Sequence, residues 1–420
     1  MSGVASLSRN VGGNVAYDVE KVRADFPILA EKIYGKPLVF LDSAASAQKP
    51  RVVIEAMKSL YEHEYANVHR GLYWLSERAT DRFEQARRTL AAHLNAAHDH
   101  EIIFTRNGTE AINLVAASWG RAFLKAGDEI VISELEHHAN IVPWQLLRAE
   151  KGIVIKVAPI TDEGALRMDA FAALLGPRTK LVAMAHMSNV LGTVLPVKEI
   201  VARAHAVGAK VLLDGCQAAT HQRIDVRDIG CDFYVITGHK LYGPSGIGAL
   251  WGREELLDAM PPYMGGGEMI DTVSFEKTTW APLPHKFEAG TPAIVQAHGL
   301  AVALDYMNGL GLENIARHEN DVLAYAHQRL GAIPGLRIVG TAPGKASVVS
   351  LLADFAHAHD IATVIDREGV AVRTGNHCAQ PLMARLGVEA TVRASIGLYN
   401  RPADIDVLAE ALEKVRRVLG

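Results

Sequence analysis

The chain has 420 residues, of which 49% are hydrophobic and 21% are charged, and its formal net charge is -4. This composition excludes a disordered or fibrous protein and predicts a globular chain with one large and one smaller domain. The nearly balanced charge predicts no binding to nucleic acid or to membrane surfaces, and no apolar run is long enough to span a bilayer. The three cysteines are widely spaced, which argues against a disulfide framework and favours a reducing, cytoplasmic location.

Residues 1–17 carry no apolar core of a secretory signal, and we expect them to form a flexible extension. Between about residues 100 and 250, short apolar runs alternate with amphipathic helical patterns, which is typical of βαβ units. We therefore predict an α/β fold with a mostly parallel sheet in a large domain of residues 36–305. Residues 306–420 mix strands and helices and predict a smaller α+β domain, which residues 18–35 join.

Five apolar runs of the large domain each end in polar or small residues. Because the carboxyl ends of parallel strands meet at one edge of a sheet, we expect these polar groups to form a ligand site there. The runs are 101–105 before Asn107–Glu110, 128–133 before His137, 181–185 before Asn189, 209–213 before Asp214 and Gln217, and 231–236 before Thr237–Pro244.

Each of these features also has a simpler structural interpretation. The turn at Gly108 and Thr109 could bind an anion at a helix amino terminus, or Thr109 could merely cap the helix. His137 and His138 point to different sides of the backbone, so we predict no metal site from them. His137 could stack its flat ring on a ligand or act as an acid–base group. Alternatively, it could be a buried imidazole whose hydrogen bonds are made within the protein.

Taken together, these groups fit the binding of one cofactor, which no single residue indicates. An anion-binding turn, a flat imidazole, a carboxylate and an amine are what pyridoxal phosphate requires. Lys240, on irregular backbone after a strand, could form a Schiff base with the aldehyde of this cofactor. Asp214 could keep the pyridine nitrogen protonated, so that the ring serves as an electron sink.

The smaller domain supplies a cysteine between glycine and proline breaks. Cys378 therefore lies in a loop, where His377 and Arg373 would favour its reactive thiolate, although most cysteines are buried and inert. Arg393 lies on an apolar strand, where it forms either a structural ion pair or a clamp for a substrate carboxylate.

Together these stretches resemble the group II cysteine desulfurases of the SufS type, within the class V aminotransferase-like, fold-type I pyridoxal-phosphate enzymes. The resemblance runs from about residue 18 to the end of the chain. It implies a homodimeric enzyme that converts L-cysteine to L-alanine, leaves a persulfide on Cys378 and supplies sulfur for iron–sulfur cluster assembly. The matching motifs are Leu41–Pro50, Val68–Gly71, Glu136–Asn140, Thr237–Pro244 and Arg373–Pro381.

The resemblance also implies roles for individual residues. Lys240 binds the cofactor and moves the α-proton, and His137 stacks on the ring and serves in proton transfer. Asp214 pairs with the ring nitrogen and Gln217 with the phenolic oxygen. Phosphate ligands are Gly108, Thr109, Thr237, His239 and, from the second subunit, Thr291; substrate-orienting residues are Asn189, Arg373 and Arg393, with His69 and Arg70 near the entrance.

The family passes the persulfide to a small acceptor protein, which is either SufE-like or zinc-bearing and SufU-like. His359 resembles the zinc-exchanging histidine of SufU-dependent members, but 357–360 could equally be an exposed helix start capped by Asp360. The position before His377 is Asn376, where the family often has histidine, so no obligatory base stands there. Cys216 is expected to be a packing residue.

Other functions compete with this interpretation. A selenocysteine lyase would share Lys240, Asp214 and Cys378. A non-catalytic sulfur-relay subunit would not need both Lys240 and Cys378, and an aminotransferase would not need Cys378.

Overall fold

A computed structural model describes residues 17–420. Of the extension predicted for residues 1–17, residues 1–16 lie outside this range and only Tyr17 is described. Tyr17, the first described residue, is held in place, because its hydroxyl donates a hydrogen bond of 2.6 Å to the Leu398 carbonyl and its ring stacks on His318. No helix within residues 17–420 combines the length and the apolar character needed to cross a membrane.

The strands belong to one seven-stranded sheet, one four-stranded sheet and several two-stranded pairs. In chain order they are β1 Lys32–Ile33, β2 Lys36–Pro37, β3 Val39–Phe40, β4 Ile102–Thr105, β5 Glu129–Ser133, β6 Val154–Ala158, β7 Thr179–Ala185, β8 Lys210–Asp214, β9 Phe233–Thr237, β10 Gly248–Gly252, β11 Ile270–Val273, β12 Thr278–Trp280, β13 Leu336–Val339, β14 Val348–Ala353, β15 Val370–Ala371, β16 Arg373–Gly375 and β17 Thr391–Ser395.

The helices flank these sheets on both faces. In chain order they are α1 Val19–Ala24, α2 Arg51–His63, α3 Trp74–Leu94, α4 Gly108–Val115, α5 Arg121–Phe123, α6 Val142–Lys151, α7 Met168–Leu174, α8 Val197–Ala206, α9 Ala218–His221, α10 Val226–Ile229, α11 Glu254–Ala259, α12 Ile294–Leu310, α13 Leu312–Gly331, α14 Ala358–Asp366, α15 Gln380–Leu386 and α16 Pro402–Leu419.

The large sheet has the strand order β4-β10-β9-β8-β7-β5-β6. Neighbouring strands from β9 to β6 are parallel, and β10 is antiparallel to both β9 and β4, so β4 runs in the same direction as the parallel set. The predicted α/β fold with a mostly parallel sheet is therefore confirmed. The five predicted strand ends lie at the same edge, whereas β6 and the antiparallel β10 were not predicted.

Alternate residues of the large sheet enter two different cores, since successive side chains of a strand point to opposite faces. In β8, Val211 and Leu213 pack in the core that contains α3 and α12, whereas Leu212 packs in the core that contains α4 and α6. Both faces are thus covered by helices. Only the ends of the strands remain open to a ligand, which explains where the site can form.

The smaller sheet is antiparallel, with the order β13-β14-β17-β16. Its core also contains residues of α13, α14 and α16, together with Val39 and Leu41 from the amino-terminal part of the chain. β3 pairs in parallel with β15, the short strand that precedes β16. This pairing links the amino-terminal segment to the chain shortly before the cysteine loop, residues 375–379.

Several local expectations differ from the structure. The helix expected after the turn at Gly108 and Thr109 is divided into α4, a π-helical stretch at Ala116–Gly120 and α5. The cap of α4 is Asn107, whose side chain accepts from the Glu110 N–H, and not Thr109. At α14 the cap is His357, which accepts from the His359 N–H, and not Asp360. In each case the acceptor side chain lies two or three residues before the N–H group that it satisfies, as a capping residue must.

Candidate functional site

The carboxyl ends of β4, β5, β7, β8 and β9 open into a cavity of about 520 Å³ that the small domain closes from the other side. The cavity brings together most of the residues that the sequence analysis selected. They are Gly108, Thr109, His137, Asn189, Asp214, Gln217, Thr237, His239, Lys240, Arg373, Cys378 and Arg393.

Lys240 ends the short 3-10 turn that follows β9, and its side chain lines the cavity. Burial lowers the pKa of the Lys240 amine, while the nearby Cys216 and Asp214 partly oppose this shift. A lowered pKa increases the fraction of neutral amine, which is the nucleophilic form. The geometry therefore suits a lysine that bonds to an aldehyde.

Asp214 is the last residue of β8, and it is buried at the cavity wall. Its carboxylate accepts the Cys216 N–H at 3.0 Å, and its carbonyl accepts the His186 N–H at 2.9 Å. Gln217 donates to the Ala44 carbonyl at 2.7 Å. Burial raises the pKa of the Cys216 thiol well above its ordinary value, so this thiol stays protonated and fits the packing role predicted for it.

An anion site lies where α4 begins. The first N–H groups of a helix have no intrahelical partner, and α4 points this end into the cavity through Gly108 and Thr109. The Thr237 hydroxyl is buried and has no hydrogen-bond partner among the described residues. A Cβ atom at Gly108 would lie 2.5 Å from Cys216 Sγ, so only glycine allows this close approach. These unsatisfied donors fit a phosphate group.

His137 faces the cavity, whereas His138 faces the cysteine loop. The Nδ1 atom of His137 accepts the Ala139 N–H at 3.0 Å, so the proton of the neutral ring is on Nε2. Burial and the positive charge of Lys240 lower the pKa of His137, which keeps the ring neutral. His137 can therefore hold a proton at Nε2 and present a flat face to a ligand.

Glu136 is a buried carboxylate that the sequence analysis did not single out. It accepts hydrogen bonds from Ser133, Asn140 and the Ala185 N–H, and thereby ties the end of β5 to the end of β7. Burial raises the pKa of Glu136 to about 7. Its position immediately before His137 in the motif Glu136–Asn140 was the available signal for a supporting role.

The cysteine loop holds its backbone in an uncommon conformation. Its φ angles are positive at Gly375 (115°), His377 (51°) and Cys378 (57°). Non-glycine residues in this region cost about 1–3 kcal/mol each and need support from neighbours. Asn376 accepts the Cys378 N–H at 3.0 Å, and Asn189 donates to the His377 carbonyl at 2.8 Å. The Cys378 side chain is exposed, as predicted for a loop thiol.

The predicted contribution of His377 to an electropositive surrounding is wrong. Its Nε2 lies 2.8 Å from the Thr391 hydroxyl, and the side chain is buried beneath the loop. Burial, together with Arg393, lowers the pKa of His377 to about 3, so the ring is neutral at physiological pH. The positive charges on the cavity wall next to Cys378 are therefore those of Arg373 and Arg393.

Arg373 and Arg393 are paired across β16 and β17, and both contact Asp42. The Nη2–Oδ distances are 2.8 Å for Arg373 and 3.4 Å for Arg393. Arg393 is only 2% exposed, donates to the Asn189 carbonyl and keeps a buried Nε without a partner among the described residues. Burial lowers the pKa of Arg393 to about 10. Asp42 was not predicted as a site residue, although the motif Leu41–Pro50 contains it.

Three residues predicted at or near the site do not line the cavity. Thr291 is exposed, and His69 hydrogen-bonds Glu84 at 2.9 Å. Arg70 contacts Glu268 at 3.1 Å. His69 and Glu84 also form, with His285, the one group in residues 17–420 whose side-chain spacing could hold a metal ion, but Glu84 is already paired with Arg87.

The sequence matches the family model "Aminotransferase class-V" over residues 39–408. It is 50% identical to a cysteine desulfurase from Synechococcus elongatus over 96% of this chain, which spans 64% of that relative. It is 51% identical to a cysteine desulfurase from Dickeya dadantii, with 96% of this chain and 98% of that relative covered.

The fold also matches solved structures of related proteins. The fold matches the Escherichia coli cysteine desulfurase CsdA with a TM-score of 0.90 and 38% identity, covering 97% of this chain and all of that one. It also matches a C-DES mutant that holds glycine covalently linked to its pyridoxal-phosphate cofactor, with a TM-score of 0.80, 25% identity and coverage of 93% and 99%.

Proposed function

The chain belongs to the aminotransferase class-V family, and on this premise we propose that Cys378 receives the sulfur that a cysteine desulfurase removes from L-cysteine. The chain is a cysteine desulfurase, as are the relatives that it matches over their whole length, and its general role is to supply sulfur for iron–sulfur clusters. The observation that carries the proposal is that Lys240 and Cys378 line the same cavity, although they come from different domains.

The cavity fits pyridoxal phosphate, the cofactor of this family. The unpartnered Thr237 hydroxyl and the free N–H groups at Gly108 and Thr109 would hold the phosphate. Lys240 would bond to the aldehyde and Asp214 would pair with the ring nitrogen. Gln217, His137 and His239 would complete the surroundings of the ring and its phosphate. When bound, the cofactor supplies an electron sink for the charge that develops at the substrate α-carbon.

The arginines are placed to bind and orient L-cysteine. Arg393 has a buried guanidinium with an unused Nε donor, which suits the substrate carboxylate. Arg373 and Asn189 border the same space and would fix the direction of the substrate side chain. The neutral amine of Lys240 can take the α-proton, and His137 can deliver a proton from Nε2.

The sulfur transfer balances within these groups. The thiolate of Cys378 attacks the sulfur of L-cysteine, and an S–S bond forms as the substrate C–S bond breaks. The electron pair of the broken bond stays with the substrate β-carbon, which gains a proton and becomes the methyl group of L-alanine. Cys378 is left as a persulfide. Arg373 and Arg393 line the same cavity as the attacking sulfur.

Mass spectrometry of the intact protein after one turnover with L-cysteine tests this proposal. We expect the wild type to gain one sulfur on the peptide that contains Cys378. Cys378→Ala should bind the cofactor, with an unchanged visible spectrum, and release little sulfide. Cys231→Ala is the matched control, because Cys231 is a buried core thiol that does not line the cavity. Wild-type alanine production by Cys378→Ala would refute the role of Cys378.

The finer assignment is to the SufS type, with a SufE-like or SufU-like acceptor protein. The support for a zinc-bearing acceptor is that His357 and His359 are both exposed at the start of α14, with ring centroids 5.1 Å apart. Persulfide transfer to each acceptor, measured with wild type and His359→Ala, tests the choice. We expect His359→Ala to lose transfer only to the zinc-bearing protein. Unchanged transfer to both acceptors would remove His359 from the proposal.

We further propose a homodimer in the cytoplasm. Large apolar side chains lie on the surface at Leu72, Trp74 and Phe275, with exposures of 98%, 62% and 108%. Contiguous apolar patches on a surface mark interfaces, and Leu72 and Trp74 lie close together in the chain. Thr291 is exposed and outside its own chain's cavity, so a second subunit could use it. Light scattering should report a dimer, which Phe275→Ser should weaken; a monomeric wild type would overturn the proposal.

A further inference from the structure

The second histidine of the pair His137–His138 contacts both the end of the cysteine loop and the start of α15. Its backbone N–H donates to the Cys378 carbonyl at 2.7 Å. Its ring Nε2 accepts the Gln380 N–H at 3.0 Å. The two contacts bracket Ala379, so a residue of the large domain restrains the backbone directly after Cys378.

The ring contact serves as a helix cap. Gln380 is the first residue of α15, and the preceding residue, Ala379, has no side chain that can accept a hydrogen bond from the helix. The first N–H groups of a helix need acceptors from elsewhere. His138 provides one of them from the other domain, and this requires the neutral ring with its proton on Nδ1. Burial lowers the pKa of His138, which favours that neutral form.

The position of the cap matters because the adjacent backbone is strained. His377 and Cys378 both have left-handed φ angles, and such conformations persist only where the surroundings enforce them. Without the acceptor at Nε2, the amino-terminal turn of α15 would have a free donor and one fewer restraint on Cys378. His138 is therefore in a position to determine how well the thiol is aimed into the cavity.

We propose that His138 is a positioning residue for sulfur transfer, which caps α15 across the domain boundary and holds Cys378 in its reactive conformation. The proposal rests on the proposed function of Cys378 as the sulfur acceptor. His137 and His138 thus divide two tasks between them: the first faces the cofactor, and the second supports the loop that receives the sulfur.

The test compares His138→Leu, which removes the acceptor, with His138→Gln, whose side-chain oxygen can reach the same position. Hydrogen exchange of the holoenzyme, followed by mass spectrometry, reports the Gln380 amide. We expect exchange about tenfold faster in the leucine variant, as the loss of one hydrogen bond predicts, and near the wild-type rate in the glutamine variant. Equal protection of the Gln380 amide in the wild type and both variants would show that His138 does not cap α15.

A second measurement follows persulfide formation on the Cys378 thiol. We expect single-turnover persulfide formation on Cys378 to be about tenfold slower in His138→Leu and restored in His138→Gln, with the visible cofactor spectrum unchanged in both. Faster exchange with an unchanged persulfide rate would overturn the positioning role. If Cys378→Ala desulfurates normally while the leucine variant still exchanges faster, the proposed function fails and the cap stands, so the two failures are distinguishable.

Discussion

The cofactor side of the cavity and the cysteine loop achieve their geometry in different ways. Asp214 is the last residue of the mostly buried strand β8, Lys240 follows the buried strand β9, and hydrogen bonds of the sheet fix both strands. Cys378 is exposed on left-handed backbone, and contacts from Asn189 and His138 of the other domain hold it. In the proposed function, the buried side holds the cofactor, whereas the exposed Cys378 receives the sulfur.

The largest expected effect comes from the buried side. Lys240→Ala should lower the rate of alanine formation by about a thousandfold or more, because a positioned acid–base group is lost together with the bond to the cofactor. Alanine release and the visible spectrum measure this. Lys345→Ala is the matched control, since burial also lowers the pKa of Lys345, to about 8, yet this lysine lies outside the cavity. Comparable losses in both variants would contradict the assignment.

The second effect separates the two arginines. Arg393→Lys should raise the KM for L-cysteine by about a hundredfold, because a buried, multiply bonded guanidinium is replaced by a single ammonium group. Arg373 is half exposed, so Arg373→Lys should raise KM much less. Steady-state kinetics with cofactor-saturated protein would measure both. Equal KM changes would show that burial does not distinguish these residues.

The third effect concerns pH and the loop. His377 has a pKa of about 3 in the fold and an ordinary pKa of 6.5 when unfolded, so the unfolded chain binds more protons between these values. Stability therefore falls as the pH is lowered below 6.5, and this histidine should cost about 2 kcal/mol at pH 5 relative to pH 7.5. In His377→Gln, the part of the stability loss that this histidine causes should disappear. Urea unfolding of both proteins across this range checks it, and parallel pH curves would contradict the buried neutral ring.

The smallest effect concerns a hydrogen bond inside the cysteine loop. Asn376→Ala removes the acceptor for the Cys378 N–H and should slow persulfide formation about fivefold, the effect of one hydrogen bond. Asn376→Asp keeps an acceptor oxygen and should remain close to the wild type. Single-turnover kinetics measure the difference. A loss of activity as large as that of Cys378→Ala would instead indicate a direct chemical role for Asn376.

Much of the site follows from short stretches of sequence. The apolar runs that end at Asp214 and at Thr237 predict buried parallel strands, and such strands place their following residues at one edge whatever the rest of the chain does. The lysine, the aspartate and the anion-binding turn could therefore be assigned together. The motif around Cys378 likewise placed the thiol on an exposed loop, because glycine and proline interrupt regular structure locally.

Only the tertiary structure decided the partners and charge states of the other groups. Asp42 meets Arg373 and Arg393 across more than 300 residues of sequence, and His138 meets Gln380 across a separation of 242. His377 looked like a cation in the sequence but is neutral, because its pKa depends on burial and on Arg393 rather than on its chain neighbours. Local sequence determines strands and turns through short-range sterics and periodicity, whereas desolvation and ion pairing arise from distant residues that only folding brings together.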